Sequence, residues 1–214
     1  AAMLYNSALC VGCKECQVAC KDRLNSLSPD VDISGYDVDP DNLSAYTWTL
    51  VKLHKDEVDD SQSAFVKVQC MHCVDPVCAS VCPVGALEKT EAGPVVYDAE
   101  KCFGCRYCMA ACPYQARRFN WHEPEVPANE VNLKQHYLGN RKRTKGVTEK
   151  CTFCIQRSRE GLNPACAEAC PTGARVFGNL LDPKSEIRYI LANKKIYRLK
   201  EDLGTEPKFW YFSD

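Results

Sequence analysis

Alternation of apolar and polar side chains is clearest at 46–53, Tyr-Thr-Trp-Thr-Leu-Val-Lys-Leu, and 64–68, Ala-Phe-Val-Lys-Val, supplies a natural partner. A period of two places alternate residues on opposite faces of a strand, so the pair predicts a β-hairpin. A turn signal at 90–94, Thr-Glu-Ala-Gly-Pro, is followed by Val95, Val96 and Tyr97 and predicts a shorter strand. Beyond Gly178 an Asp182-Pro183 step precedes an amphipathic helix near Glu186–Asn193. The chain then ends in the aromatic run Phe209-Trp210-Tyr211-Phe212. Exposed aromatics are costly unless covered, so this tail is expected to be a contact surface for a partner. No apolar run approaches the roughly 18 residues needed to span a bilayer.

Composition narrows the class only a little. With 45% hydrophobic and 26% charged residues in 214, the chain is ordinary globular material. A net charge of -1 gives no reason to expect nucleic acid. The start at Ala1 shows no basic segment followed by an apolar one, so a leader removed earlier and a trimmed chain are both open. Two stretches carry opposite charge: 21–69 holds ten Asp/Glu against five Lys/Arg, and 113–150 holds eight Lys/Arg against four Asp/Glu. Solvated faces and docking surfaces both account for them.

The sixteen cysteines change the picture. They fall into four tight groups: Cys10, Cys13, Cys16, Cys20; Cys70, Cys73, Cys78, Cys82; Cys102, Cys105, Cys108, Cys112; and Cys151, Cys154, Cys166, Cys170. Groups one and three have the spacing C-x2-C-x2-C-x3-C; group two widens the middle gap to four residues and group four to eleven. Disulfide scaffolds spread their cysteines over distant loops, whereas many pairs here are three apart, too close to bridge well. Zinc ribbons also use C-x2-C pairs, but they have no use for a third cysteine three residues on and a fourth four beyond that.

A repeat follows three of the groups. Cys82-Pro83-Val84-Gly85-Ala86, Cys112-Pro113-Tyr114-Gln115-Ala116 and Cys170-Pro171-Thr172-Gly173-Ala174 read C-P-x-x-A, while Cys20 is followed by Lys21. In two-cluster ferredoxins three thiolates of one loop wrap a 4Fe–4S cube and the fourth cysteine of that motif ligates the other cube. Third and fourth cysteines four residues apart span ~6 Å of helix, which keeps the two clusters close.

Applied here, that crossed rule gives four sites, all of iron. Cys10, Cys13, Cys16 and Cys170 hold one cluster, and Cys20, Cys151, Cys154 and Cys166 its neighbour. Cys70, Cys73, Cys78 and Cys112 hold a third, and Cys82, Cys102, Cys105 and Cys108 the fourth. The expected fold is α+β, two bacterial-ferredoxin-like two-cluster modules with the central one inserted into the outer one. The outer module takes 1–20 with 145–180 and the central one 70–120. An insert with the β-hairpin fills 21–69, a basic loop 121–144, and a helix with the aromatic tail 181–214.

Lys14, Lys101, Arg106, Arg117 and Arg175 lie near the cysteines, where their charge would raise cluster potentials. His72 is expected as a neighbour of the ligands or a surface residue, because the cysteines fill every ligand place. Trp48, Trp121 and Trp210 are expected to pack. There is no dinucleotide fingerprint, P-loop or nucleophile elbow, and no catalytic residue is expected.

The groups resemble the iron–sulfur subunit of the complex molybdopterin oxidoreductases, such as polysulfide, thiosulfate, dimethyl sulfoxide and arsenate reductase and formate dehydrogenase. The likeness rests on Cys10 to Cys20 opening the chain, Cys-Phe-Gly-Cys-Arg-Tyr-Cys-Met-Ala-Ala-Cys-Pro-Tyr at 102–114, Glu-Lys-Cys-Thr-Phe-Cys at 149–154, and 163–178. The ending Leu-Gly-Thr-Glu-Pro at 203–207 looks most like the polysulfide reductase branch. The resemblance implies a large partner carrying molybdenum or tungsten pterin, and a membrane quinone subunit or a cytochrome at the other end. It also implies a membrane-associated complex on the periplasmic face. Nitrate-reductase relatives carry Trp where this chain has Cys105, so four cubes are expected here. A stand-alone polyferredoxin and a zinc-stabilised interaction module are the competing functions.

Overall fold

The two ends of the chain meet side by side in one sheet. The computed structural model describes residues 1–24, 42–59, 62–123, 133, 135–141 and 143–213. The acidic run at 30–41, and Glu125, Glu130, Lys134 and Lys142 of the basic stretch, lie outside them. In chain order the first elements are β1 (Ala2–Asn6), α1 (Glu15–Leu24), β2 (Thr49–Lys55), β3 (Ser63–Gln69), α2 (Val77–Ser80), β4 (Leu87–Lys89), β5 (Val95–Tyr97) and α3 (Tyr107–Ala111). There follow β6 (Arg118–Phe119), β7 (Thr148–Glu149), α4 (Ile155–Ser158), α5 (Ala165–Glu168), β8 (Arg175–Gly178), α6 (Glu186–Asn193), β9 (Ile196–Tyr197) and β10 (Phe209–Phe212).

The main sheet has the order β8-β1-β10-β9. β1 runs parallel to β10, with Met3 opposite Phe209 and Tyr5 opposite Tyr211, and antiparallel to β8. Every residue of β1 is buried, as expected of a strand covered on both faces. One face supplies Met3, Tyr5, Phe209 and Tyr211 to the core that holds Cys16 and Cys166. The other supplies Ala2, Leu4 and Phe212 to a core closed by Ile187 and Ile190 of α6. The expected aromatic contact surface is therefore overturned. Phe209 and Tyr211 are 0% exposed, because β10 is an inner strand of the sheet.

The predicted hairpin forms as β2 and β3, with Leu50 opposite Val68 and Leu53 opposite Phe65. Both its faces are covered: Val51, opposite Lys67, packs into the main core, and Leu50, opposite Val68, into a second one. Lys67 and Gln69 are buried, while Val66 and Val68 are half-buried. Tyr46, Thr47 and Trp48 precede the strand; Trp48 is buried, and its indole N–H donates to the Ala45 carbonyl. β4 and β5 form the second hairpin, and α6 covers its predicted span. Ligand-loop helices pack in pairs, α1 on α5 and α2 on α3. No helix among the described residues is long and apolar enough to cross a membrane.

Candidate cluster-binding site

The loops that carry the cysteines share one backbone device. The residue just before the second cysteine is left-handed in every group: Gly12 (φ +69°), His72 (φ +45°), Gly104 (φ +80°) and Phe153 (φ +53°). Such a residue reverses the chain within three positions, so the first two thiols come to face the same space. At Gly104 the fold demands glycine for a second reason: a Cβ would sit 2.4 Å from the Gly146 carbonyl oxygen.

C-P-x-x-A is a turn of fixed form. The proline stands two or three residues beyond the end of a short helix, directly after the cysteine, where the helix cannot continue. Two residues on, Gly85, Gln115 and Gly173 are all left-handed, and each donates its N–H to the carbonyl of its cysteine at 3.1–3.2 Å. The closing alanine aims its own N–H at the cysteine sulfur, 3.2 Å from Ala86 to Cys82 Sγ, with Ala116 and Ala174 serving Cys112 and Cys170 in the same way. All three alanines are buried. After Cys20, Lys21 replaces the proline, and α1 accordingly runs on to Leu24.

Long-range packing then brings the groups together in crossed pairs. Cys82 joins Cys102, Cys105 and Cys108 around one small cavity. Cys20 joins Cys151, Cys154 and Cys166 around another. Cys112 joins Cys70, Cys73 and Cys78 around a third. Of the remaining four, Cys16 is buried in the main core with Cys10 and Cys170 packed against it, and Cys13 is exposed. All sixteen thiols are free of disulfides.

These sulfurs surround spaces and do not converge on points. A tetrahedral zinc with ~2.3 Å bonds would need its sulfurs within ~4 Å of one another. Among the described residues no three Cys, His, Asp or Glu side chains meet in a way that would hold a single ion. Burial pushes the thiols up, to about 11 at Cys16 and Cys78 and about 12 at Cys73 and Cys151. Cys102 goes the other way: burial opposes ionisation, but bonds from the Tyr97 hydroxyl and from backbone N–H groups outweigh it.

The surrounding charge has one sign. The buried ionic side chains among the described residues are Lys14, Lys67, Arg117, Arg143, Lys150, Arg175 and Lys208 against one acid, Glu149. Glu149 is matched by Arg143 at 3.4 Å and Arg141 at 3.5 Å. An uncompensated buried cation costs several kcal/mol, so the excess of positive charge calls for an anion. The thiols whose charge acts on Arg117 are those of Cys78, Cys108 and Cys70, yet its guanidinium nitrogens have no well-formed hydrogen bond. Arg175 donates to Cys16 Sγ at 2.8 Å. A polynuclear anion ringed by four thiolates matches both the four-cysteine linings and the excess positive charge.

Of the five basic residues singled out by sequence, Lys14, Arg117 and Arg175 are buried. Lys101 is a surface residue paired with Asp98 at 3.7 Å, and Arg106 is exposed over the rings of Phe119 and Trp121 while bordering the cavity of Cys102, Cys105 and Cys108. Sequence reasoning missed Lys67, Lys150 and Lys208. The signal for the second was its place next to Cys151; the burial of the other two follows from packing that the sequence does not display. His72 is wholly buried, not on the surface; its Nδ1 accepts the Val95 N–H at 3.1 Å. Burial and the charges of Lys150, Lys208 and Arg117 hold it neutral.

Interleaved cysteine groups around shielded cavities, set among buried cations, define an iron–sulfur electron-transfer protein. A model of the 4Fe–4S dicluster domain matches residues 61–139 and 137–180. The chain is 37% identical, over 99% of its length and 88% of the relative's, to the iron–sulfur cluster-binding subunit of menaquinone reductase from Nitratidesulfovibrio vulgaris. It is 34% identical to a subunit of the selenate reductase of Mesobacillus selenatarsenatis, over 99% of this chain and 71% of the relative. With the iron–sulfur subunit of arsenate respiratory reductase from a Shewanella species it shares 32% over 98% and 94% of the two chains. The chain belongs to this family of 4Fe–4S dicluster iron–sulfur subunits of oxidoreductase complexes.

Proposed function

We propose that the chain is a non-catalytic relay of four 4Fe–4S clusters, held by the four crossed sets of cysteines and passing electrons between a catalytic subunit and a second redox partner. The observation that carries this reading is the cavity lining: in each of three cavities three cysteines of one group meet the fourth cysteine of another. When bound, each cluster takes up and releases one electron. The chain's own residues hold it, shield it from water and set the charge around it.

The two-module arrangement is supported by the packing of α1 on α5 and of α2 on α3. Cys70 and Cys151 border the same buried group of side chains, which supports a wire running from the Cys10 set through the Cys151 and Cys70 sets to the Cys102 set. Exposed apolar residues flank both ends: Leu9 (45%) and Val11 (54%) at the first, Phe103 and Tyr107 (each 64%) at the last. These replace the aromatic tail as the partner-facing surfaces.

The partner favoured is a large molybdopterin subunit, since relatives are named as subunits of selenate and arsenate reductases. The other end would meet a quinone subunit or a cytochrome, and the menaquinone reductase relative supports a quinone. A membrane-associated complex on the periplasmic face is the matching location.

Four cubes require about sixteen iron and sixteen sulfide per chain, one iron for each of sixteen cysteines. The test is metal and sulfide analysis of anaerobically prepared protein, with purification of whatever large chain accompanies it. Iron near eight, or zinc in its place, overturns the four-cluster reading. Reduction of an oxidant such as arsenate by the chain alone overturns its non-catalytic role.

A further inference from the structure

The internal repeat extends beyond the cysteines to a second pair of residues. In groups three and four the phrase continues with arginine, Ala116-Arg117 and Ala174-Arg175, whereas Ala86 is followed by Leu87. Ahead of groups three and one, a tyrosine stands five residues before the first cysteine, Tyr97 before Cys102 and Tyr5 before Cys10. The fold joins these separate repeats. Arg117 lies over the Tyr97 ring at 5.4 Å, and Arg175 over the Tyr5 ring at 5.8 Å. Both arginines and both tyrosines are buried.

Each arginine faces two cysteine sets at once. Arg117 lines the cavity of Cys70, Cys73, Cys78 and Cys112, and the charge of Cys108, from the neighbouring set, also acts on it. Arg175 bonds Cys16 Sγ at 2.8 Å and is acted on by Cys166, again a member of the neighbouring set. Apart from a contact of Arg117 with the Cys108 thiol, Nε, Nη1 and Nη2 of Arg117 and Nε of Arg175 make no well-formed hydrogen bond, so donors remain for acceptors inside the cavities. Guanidinium suits this place because it stays charged and presents several donors in a rigid plane.

We propose that Arg117 and Arg175 are equivalent bridging residues, one per module, each seated on its tyrosine between two clusters and holding the potentials of both up together. The proposal rests on the four-cluster reading. A cation shared by two anionic clusters stabilises the reduced form of each and offsets the repulsion that a second electron meets. A lysine is a point charge with less reach and restores part of this effect.

The test uses the full chain loaded with its clusters, as R117Q, R117K, R175Q and R175K. The readouts are iron and sulfide per chain and a potentiometric titration of each cluster followed by electron paramagnetic resonance. R117Q should lower both midpoints of the Cys70 and Cys102 sets and leave the other two in place; R175Q should do the reverse. The expected size is at least a tenfold fall in the reduced-to-oxidised ratio at a fixed poise, or about 59 mV for one electron. The lysine variants should recover part of the shift. Unchanged potentials, a shift confined to one cluster, or an equal shift of all four overturns the proposal. So does equal loss of iron from the glutamine and lysine variants, which would make the arginine a packing element. A wild-type chain lacking four clusters would instead count against the four-cluster reading itself.

Discussion

His72 and Phe153 stack with ring centroids 3.8 Å apart and planes inclined by 26°. They hold the same place in two different groups, each left-handed and each immediately before a second cysteine. Where groups one and three have glycine, groups two and four have rings, and the rings meet. This contact joins the loop of Cys70 and Cys73 to the loop of Cys151 and Cys154, the junction where the two proposed modules touch.

The stack should be cooperative. His72→Ala removes the acceptor of the Val95 N–H as well as the ring, a loss of about 1–3 kcal/mol for the unmatched donor alone. Phe153→Ala should cost about 3–5 kcal/mol. Thermal unfolding of the two single variants and the double variant, kept anaerobic, should give a coupling of about 0.5–1.5 kcal/mol. Simple additivity would mean that the rings do not hold the modules together.

Cys105 shares its cavity with Cys82, Cys102 and Cys108. Cys105→Ser or Cys105→Trp should damage that cluster alone, leaving about twelve iron or a 3Fe–4S centre of raised potential, within the roughly −700 to +450 mV that clusters span. Paramagnetic resonance of the reduced protein checks it. An unchanged spectrum with sixteen iron would remove Cys105 from the ligands.

Two glycines with similar backbones should respond differently to alanine. Gly173 has φ +65° and open space beyond its Cα, so Gly173→Ala should cost about 1–2 kcal/mol of backbone strain. Gly104→Ala must also displace the Gly146 carbonyl oxygen, a backbone atom that cannot swing away. Its cluster should be lost while Gly173→Ala keeps full iron. Iron content and melting temperature, side by side, decide the point.

Deleting 208–214 should be ruinous. It removes β10 from between β1 and β9, and takes Phe209 and Tyr211 out of the core beside Cys16. Phe→Ala in a core already costs about 3–5 kcal/mol, comparable with much of a domain's stability of about 5–15. The truncated chain should be insoluble or depleted in iron. Soluble protein with sixteen iron would show that the tail is dispensable.

What the sequence determined by itself is local. Cysteine spacing, the proline after the fourth cysteine and the glycines of the loops act over three to five residues, through backbone sterics that no distant contact can revise. The hairpin at β2 and β3 and helix α6 were legible for the same reason. Tertiary structure decided what depends on covering. Phe209 and Tyr211 read as surface until β1, some two hundred residues earlier, lies alongside them. Lys67 and Gln69 read as the wet face of a strand until the cysteine core occupies that side. Lys101 and Arg117 look alike in the sequence, yet one is solvated and the other sealed between two cysteine sets, because burial is set by the elements that pack over a residue and not by its neighbours in the chain. The adjacency of Cys70 and Cys151, and with it the proposed order of the wire, exists only once the loops of His72 and Phe153 are pressed together.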